Sequence, residues 1–539
     1  MRLMRELQLE NIRSLKNTGA LPIMPITLLV GENSSGKSTF LRVFPLLKQS
    51  IQKKTNGPIL WAGDVDDYVD FGSFEEAITN DGSKHMGISL SFELRPDNLF
   101  PRYYWQLSRR FSISSPIQIK YGIQIEKSKD REYVSKLSVV LNNSTFCLDR
   151  IQSRQPTILV DGQDISFLPP DKNTDDDAES FLLWRAYSGR SIFGIKMPAI
   201  ASWVFRYFKD INDAKTDDDD SELDEISFFT VGESLIHGIP VEQVHELIYG
   251  NKDSSKQSKR QGTSSIIEDR VEKLLSHLSA LTQDKKEYAV KVIKLFYFYF
   301  IYSAIEEYIG TYFLQVHYIA PIRATAERYY RLRNSAIDEV DYQGKNLAIF
   351  LNSLPESRRV MFQKWTSEHF GFKASVSKTE GHLSIEINRT GHNETINLSD
   401  TGFGYSQILP IITQLWELST HKASQKNSNQ GIPLVVAIEQ PELHLHPAMQ
   451  ARLAESFIAC LELAKENGFS LQLILETHSE TMINYFGRAI AKGKLDTNDI
   501  AVILFDRSDE TNGTSTSISS YDRDGFLTNW PIGFFAPED

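Results

Sequence analysis

The sequence predicts an α/β fold: a mixed sheet with an antiparallel β subdomain, interrupted by a long, mostly helical insertion. Three observations predict it. A short apolar run at 25–30 leads into a glycine-containing turn and then a helical pattern over about 37–49. Apolar and polar residues alternate through segments of 87–160, the period of half-buried antiparallel strands. From 431 onward the pattern is strand, helix, strand, at 434–438, 448–466 and 471–475.

Each element has its own reason. Residues 5–10 form a charged amphipathic strand, whereas 25–30 is almost continuously apolar, as a buried parallel strand is. Ile88-Ser89-Leu90-Ser91-Phe92 and Ile117-Gln118-Ile119-Lys120-Tyr121 alternate strictly, and Gly82 and Asn142-Asn143 supply turns. The texture changes near Pro169. Asp175-Asp176-Asp177, then 217–220 with Glu222, Asp224 and Glu225, form acidic clusters that read as solvated loops. The stretch 252–265 mixes Ser, Lys, Gln and Gly and reads as a linker. Helical patterns at 266–281 and 285–309 complete the middle third. Strand character returns at 313–319 and 383–387, and 500–505 pairs with 515–521 as a hairpin. There is no internal repeat and no sustained heptad run. The organisation expected is an N-terminal lobe at 1–168, a helical insertion at 169–312 and a C-terminal lobe at 313–539.

Composition bounds the function. A chain of 539 residues, 41% hydrophobic and 24% charged, is ordinary for a globular protein and long enough for more than one domain. Its net charge of −12 argues against a surface coated for nucleic acid, while a local basic groove stays open. Two cysteines, Cys147 and Cys460, without a CxxC pair exclude a disulfide framework or thiolate zinc site and fit a reducing compartment. The N-terminus lacks the apolar core of a signal peptide. The apolar stretch at 290–305 falls short of the roughly 20 residues that span a bilayer and reads as a buried helix. A cytoplasmic protein without a membrane partner is expected.

The strongest chemical signal is Gly31-Glu32-Asn33-Ser34-Ser35-Gly36-Lys37-Ser38, a full match to G-x-x-x-x-G-K-[ST], with an apolar strand before it and a helix after it. Glycines let the backbone wrap phosphates, so that successive N–H groups and a helix N-terminus point at them. Asn33, Ser34, Ser35, Gly36 and Thr39 belong to this cradle for ATP. Lys37 would neutralise the β- and γ-phosphates, and the Ser38 hydroxyl would hold Mg²⁺. Such a loop needs an acid at the end of a neighbouring strand, and 434–438 ends in Glu439. The loop beyond it runs Gln440-Pro441-Glu442-Leu443-His444-Leu445-His446-Pro447. His444 and His446 would point the same way in an extended segment, but no third metal ligand is identifiable. The strand at 471–475 ends in Glu476-Thr477-His478-Ser479, and His478 there could reach the γ-phosphate. Finally, Ser399, Gly402, Gly404, Ser406 and Gln407 lie in a small turn that opens an apolar helix, a second potential anion site.

Together these pieces resemble the ABC-type ATPase heads of the RecF, SMC and OLD group, over 1–95 and 313–539. The segments Tyr318-Ile319-Ala320-Pro321-Ile322-Arg323 and 524–535 are similar to the branch that includes the PtuA ATPases of Septu and some retron anti-phage systems. The resemblance implies a split ABC-type head with Walker A at 31–39, the signature loop at 399–407, Walker B at 434–439 and the switch histidine at His478. Gln49 would be the Q-loop glutamine on the metal. Two heads would sandwich two ATPs as a homodimer or higher oligomer, with Ser406 and its loop capping the γ-phosphate held by the other subunit. Such heads carry a glutamate after the Walker B acid, where this chain has Gln440. An amide can orient water but cannot accept its proton, so slow hydrolysis is expected, with Glu442 as the nearby carboxylate.

No nuclease motif stands out, and the stretch beyond His478 is too short for the Toprim domain of OLD nucleases. Asp506-Arg507-Ser508-Asp509 and Asp522-Arg523-Asp524 read as hairpin turns. The expectation is an ATP-controlled regulator of a separately encoded nuclease, of HNH type, in anti-phage defence, with a reverse transcriptase and its DNA as further partners. The alternative is a RecF-like DNA-repair ATPase. For that reading Arg102, Arg109 and Arg110, or Arg323, Arg328, Arg331 and Arg333, are candidate basic patches. A transporter ATPase subunit fits poorly, because no segment would couple to a membrane.

Overall fold

The computed structural model describes residues 4–94, 115–149, 157–165, 225–244, 263–420 and 431–531, apart from 54, 56, 65, 66, 81, 130, 322, 324, 332–336, 338, 380, 392, 393 and 509–512. The acidic clusters, except Glu225, and most of the linker lie outside the described residues.

A seven-stranded mixed sheet forms the centre. Its order is Val316–Ile319, Leu434–Glu439, Leu471–Glu476, Ile26–Gly31, Ile500–Ser508, Gly513–Tyr521 and Leu527–Thr528. The first five strands are parallel and the last two antiparallel. Three of the parallel strands are buried at every position, which explains their unbroken aliphatic sequences. Their side chains alternate between two separate cores, as the period of a strand requires. Leu29, Val435, Ala437 and Ile474 enter one core, whereas Leu28, Val436, Ile438 and Leu473 enter the other.

The first core lies under helix Lys37–Gln52 and a nine-stranded antiparallel sheet built from Met4–Ile12 and the hairpins of residues 85–164. The second core is covered by helices Phe403–Thr420, Pro447–Glu466 and Glu480–Ala491. Residues 383–387, expected as a strand, sit in His382–Arg389 of a separate four-stranded sheet. Helix Gln283–Leu314 runs on past the expected strand start at 313, because Phe313 is needed in the core against Phe44.

The middle helices do not stand apart as an insertion body. By length and composition, Gln283–Leu314 is one helix apolar enough to cross a membrane. Its aromatic residues instead pack on the antiparallel sheet, with Phe92 stacked on Tyr308 at 4.4 Å and Phe146 on Phe298 at 4.5 Å. The Tyr121 hydroxyl also donates to Glu306 Oε1 at 2.9 Å inside that contact. Residues 225–314 and the N-terminal sheet therefore share one hydrophobic core across the boundary expected at 168.

Candidate functional site

The C-terminal ends of three adjacent parallel strands set the site. Glu439 is in register with Glu476, and Glu476 with Leu29. At about 4.8 Å per strand, Glu476 stands one strand from the 31–39 loop and Glu439 stands two.

Glycine is required where the loop leaves its strand and where it enters its helix. Gly31, at φ +153°, passes so close to Phe505 that a Cβ would lie 2.1 Å from that residue's carbonyl oxygen. Gly36, at φ +95°, turns the chain into helix Lys37–Gln52, and a Cβ there would meet Leu15 Cδ2 at 2.7 Å. Since Gly36 has no side chain to cap the helix, its first N–H groups are left for an anion. Asn33 and Ser34 are exposed at the rim, while Ser35 and Thr39 are buried. Thr514 Oγ1 donates to the Ser35 carbonyl at 2.9 Å and ties the loop to the last hairpin.

Lys37 is 3% exposed. Its Nζ folds over the loop and donates to the carbonyls of Gly31 at 3.0 Å and Glu32 at 2.5 Å. Burial holds its pKa below the ordinary lysine value, against the pull of Glu476, Glu32 and Glu442. Next to it, Ser38 Oγ donates to Glu476 Oε1 at 2.8 Å. Glu476 Oε2 is buried and has no partner among the described residues. Burial first, and then the charge of Glu439, pushes this carboxyl up to about 7.

Glu439, expected to serve the metal, is held by two side chains of the neighbouring elements. Arg42 grips it with two bonds, Nε to Oε1 at 2.7 Å and Nη2 to Oε2 at 2.8 Å, and the Tyr318 hydroxyl donates to Oε1 at 2.8 Å. Oε1 thus accepts two bonds and Oε2 one, in a residue 2% exposed, which leaves Oε2 a lone pair for a further partner. The hydrogen bond to Glu439 also raises the Arg42 pKa above its ordinary value.

Past Glu439 the chain turns sharply. Gln440 adopts φ +43°, rare for a residue with a side chain, and its N–H donates to the Glu476 carbonyl at 2.9 Å. Arg323 Nη2 donates to the carbonyls of Glu439 at 3.1 Å and Gln440 at 3.3 Å. Burial lowers the Arg323 pKa to about 10. Glu442 Oε1 accepts from the His478 backbone N–H at 2.7 Å, so this carboxylate anchors the histidine's loop. Burial raises the Glu442 pKa and lowers that of His478, whose Nε2 is buried with no partner among the described residues. Lys37, Ser38, Glu439, Gln440, Glu442 and His478 therefore gather at one end of the sheet.

Other expected residues lie elsewhere. Gln49 is a correction: its amide donates to the carbonyls of Leu60 and Val69 and accepts from Val69 N–H, fully engaged in fixing a loop. Twelve residues along the helix from Lys37, it is displaced by about 18 Å at 1.5 Å per residue. Ser406 and Gln407 are buried inside helix Phe403–Thr420, and the Ser406 hydroxyl is turned back onto the Phe403 carbonyl at 2.8 Å. Ser399, Gly402 and Gly404 are at least partly accessible, beside the exposed ring of Phe403. His446 accepts the Ala448 N–H as the cap of its helix, and His444 lies against Phe403 with ring centroids 6.0 Å apart.

Of the candidate basic patches, Arg102, Arg109, Arg110 and Arg333 lie outside the described residues. Arg323 is buried beneath Gln440, and Arg328 pairs with Asp400 at 2.6 Å; Arg331 is exposed. Sequence reasoning missed Arg42, Tyr318, Glu476 and Thr514 as parts of the site. A signal for Glu476 was present, because its strand, like that of Glu439, is an apolar run ending in an acid.

The residues fit the phosphates of a nucleotide and a divalent cation. A folded-over lysine, open helix amides and an unpartnered carboxylate oxygen beside a serine hydroxyl are the required donors and acceptors. Among the described residues no group of three His, Cys, Asp or Glu side chains could hold a metal ion by itself. Phosphate oxygens and water would have to complete the shell, as they do for Mg²⁺.

Residues 3–483 match the family described as AAA ATPase domain. No curated protein matches the chain significantly. Among solved structures, an SMC head bound to the C-winged helix domain of ScpA is similar at 12% identity, with a TM-score of 0.32, over 96% of this chain and 98% of that one. The SMC head domain from Thermotoga maritima is 10% identical, with a TM-score of 0.32, over 95% of this chain and 98% of that one. The recombination mediator RecF in its ATPrS structure is 12% identical, with a TM-score of 0.25, over 96% and 98%.

Proposed function

The chain belongs to the AAA ATPase domain family, and on that premise we propose that it is a slow ABC-type ATPase that dimerises around ATP and Mg²⁺. One observation carries the proposal. The 31–39 loop presents Lys37 and the uncapped helix N-terminus on the same side as Ser38, Glu476 and His478.

The residues divide the work. Lys37 exchanges its carbonyl partners for phosphate oxygens, which accept a charge-assisted bond more strongly than neutral carbonyls do. His478 keeps a bare Nε2 near Lys37 as a donor or acceptor for the terminal phosphate. Glu442 positions it through its backbone. Gln440 can orient water but takes no proton, and loss of general-base help is worth about 10²–10⁴ in rate. A bound Mg²⁺ would supply charge neutralisation at the phosphates.

Across the dimer, the accessible face of the signature loop, Ser399, Gly402 and Gly404 with Phe403, would close on the partner's nucleotide. Ser406 supports that loop from inside the helix. The test is equilibrium binding of a fluorescent ATP analogue: the wild type binds, and Lys37→Ala does not. Equal binding by both would sink the proposal.

For the cellular role we propose a PtuA-like regulator that holds a separate nuclease of HNH type in anti-phage defence. The buried Arg323 and the Asp400-paired Arg328 weigh against the RecF-like alternative, since they remove two arginines from one candidate DNA-binding patch. Purification from the native host distinguishes the two. A stoichiometric nuclease, with or without a reverse transcriptase and its DNA, supports the regulator. A homodimer that retains DNA, with affinity falling steeply as salt rises, supports the repair ATPase.

A further inference from the structure

We infer that Arg323 is a positioning residue for hydrolysis: its buried guanidinium clamps the turn at Gln440 and thereby fixes where that residue's side-chain amide meets the attacking water. The inference rests on the proposed ATP site, with Gln440 as the group that orients water there.

Gln440 is held in an unfavourable conformation. Its φ of +43° is rare for a residue with a side chain. Pro441 follows it, and a residue before proline is further biased toward extended backbone. Such a conformation persists only where its surroundings over-determine it.

Arg323 is placed to do that. The parallel ladder between Val316–Ile319 and Leu434–Glu439 has its last pair at Ile319 and Ile438. Beyond that pair the Glu439 carbonyl accepts from Arg323 Nη2 at 3.1 Å, and the Gln440 carbonyl accepts from the same nitrogen at 3.3 Å. These two carbonyls belong to the rigid peptide planes on either side of the Gln440 Cα, so holding both fixes the rotation between them. Two backbone bonds support the turn, and each holds one plane. The Gln440 N–H donates to the Glu476 carbonyl at 2.9 Å, and the Gln440 carbonyl also accepts the Leu443 N–H at 3.1 Å.

The arginine is costly to keep where it is. It is 3% exposed, and its Nε and Nη1 have no partner among the described residues. A buried charge opposes folding unless it is paired and hydrogen-bonded. Here every hydrogen bond of the side chain among the described residues goes to this one turn. A neutral amide has only direction to offer a water molecule, so the aim of Gln440 decides what it contributes.

The full-length protein tests this by a double-variant cycle on the chemical step. Single-turnover hydrolysis of radiolabelled ATP is measured with protein in excess, alongside binding of a fluorescent, non-hydrolysable analogue. Arg323→Met and Gln440→Ala should each slow hydrolysis by about ten- to hundredfold, with analogue affinity within about twofold of wild type. The protein carrying both changes should be no slower than Gln440→Ala, because Arg323 acts through the amide that alanine removes. Arg323→Lys keeps the charge, but its ammonium ends one bond short of Nη2. It carries the same expectation and serves where the methionine variant fails to fold.

The inference is overturned if the two losses multiply, or if either the Arg323 variants or Gln440→Ala hydrolyse ATP at the wild-type rate. It is overturned as well if the Arg323 variants lose analogue binding in step with hydrolysis, as a merely structural role would require. Failure of the proposed ATP site looks different: the wild type would bind no analogue, or Lys37→Ala would bind as well as wild type.

Discussion

Arg42 and Glu439 form a two-bond ion pair, at 2.7 and 2.8 Å, between the first helix and the end of a central strand. The pair joins the segment after the phosphate-binding loop to a strand almost 400 positions later (separation 397). Removing Arg42 leaves the buried Glu439 carboxylate with the Tyr318 hydroxyl as its one side-chain hydrogen-bond donor among the described residues. Arg42→Ala should therefore destabilise the fold by about 3 kcal/mol, the lower end for breaking a buried pair, because the arginine is partly exposed. Arg42→Met with Glu439→Met should recover most of that loss. Urea unfolding of the three proteins checks it, and a double variant no better than Arg42→Ala would refute the pairing's role.

On the proposed mechanism Gln440 orients the attacking water. Gln440→Glu introduces a base there, and turnover should rise by about 10²-fold in a steady-state phosphate-release assay. An unchanged rate would show that this loop does not face the reacting water.

Glu442 anchors His478 through a backbone N–H, a bond that an amide oxygen can also accept. Glu442→Gln should retain most ATP turnover, whereas Glu442→Ala should lose it and destabilise the protein by about 1–3 kcal/mol. If the glutamine variant is as dead as the alanine variant, Glu442 is the base rather than the anchor.

Gly31 faces the carbonyl of Phe505 with no room for a methyl group. Gly31→Ala should either fail to fold or lose nucleotide binding through a displaced loop. Circular dichroism and analogue binding, measured together, check this, and wild-type behaviour in both would contradict the geometry.

Glu233 lies in helix Glu225–Ile236, near Tyr297, and burial pushes its carboxyl up to about 8. The folded state then holds a proton that the unfolded chain releases near the ordinary glutamate value. This group's contribution to stability is fully present below about pH 4.5 and is lost as pH rises through about 8. Glu233→Gln should flatten that part of the pH–stability curve. It should also stabilise the protein by about 1–3 kcal/mol above pH 8, where wild type carries an ionised carboxylate whose Oε1 has no partner among the described residues. Thermal melts across that range that show no difference between the two proteins would exclude the effect.

Much of the fold was legible because its signals are local. The alternation of Ile117 to Tyr121, the aliphatic runs before Gly31 and Glu439, and the turn at Asn142 each depend on a few consecutive residues, and the structure agrees with them. The 31–39 loop was legible for the same reason. Its chemistry requires fixed residue types at fixed spacing, whatever surrounds it.

The middle helices read as a separate body because composition changes at their edges. Whether they form one depends on what covers the aromatic face of Gln283–Leu314, which a helical pattern does not specify. Gln49 was misplaced on the same ground, since its neighbours Leu60 and Val69 are brought to it by a loop.

By itself, then, the sequence determined the phosphate loop, the strands that carry Glu439 and Glu476, and the α/β class. Only the tertiary structure decided which acid faces Ser38. Both acids end apolar strands and are locally alike. The strand of Glu476 comes later in the chain yet lies between that of Glu439 and the loop, and Arg42 and Tyr318 reach only the farther acid. Strand order and long-range pairing arise from how whole layers pack, and no local pattern encodes them.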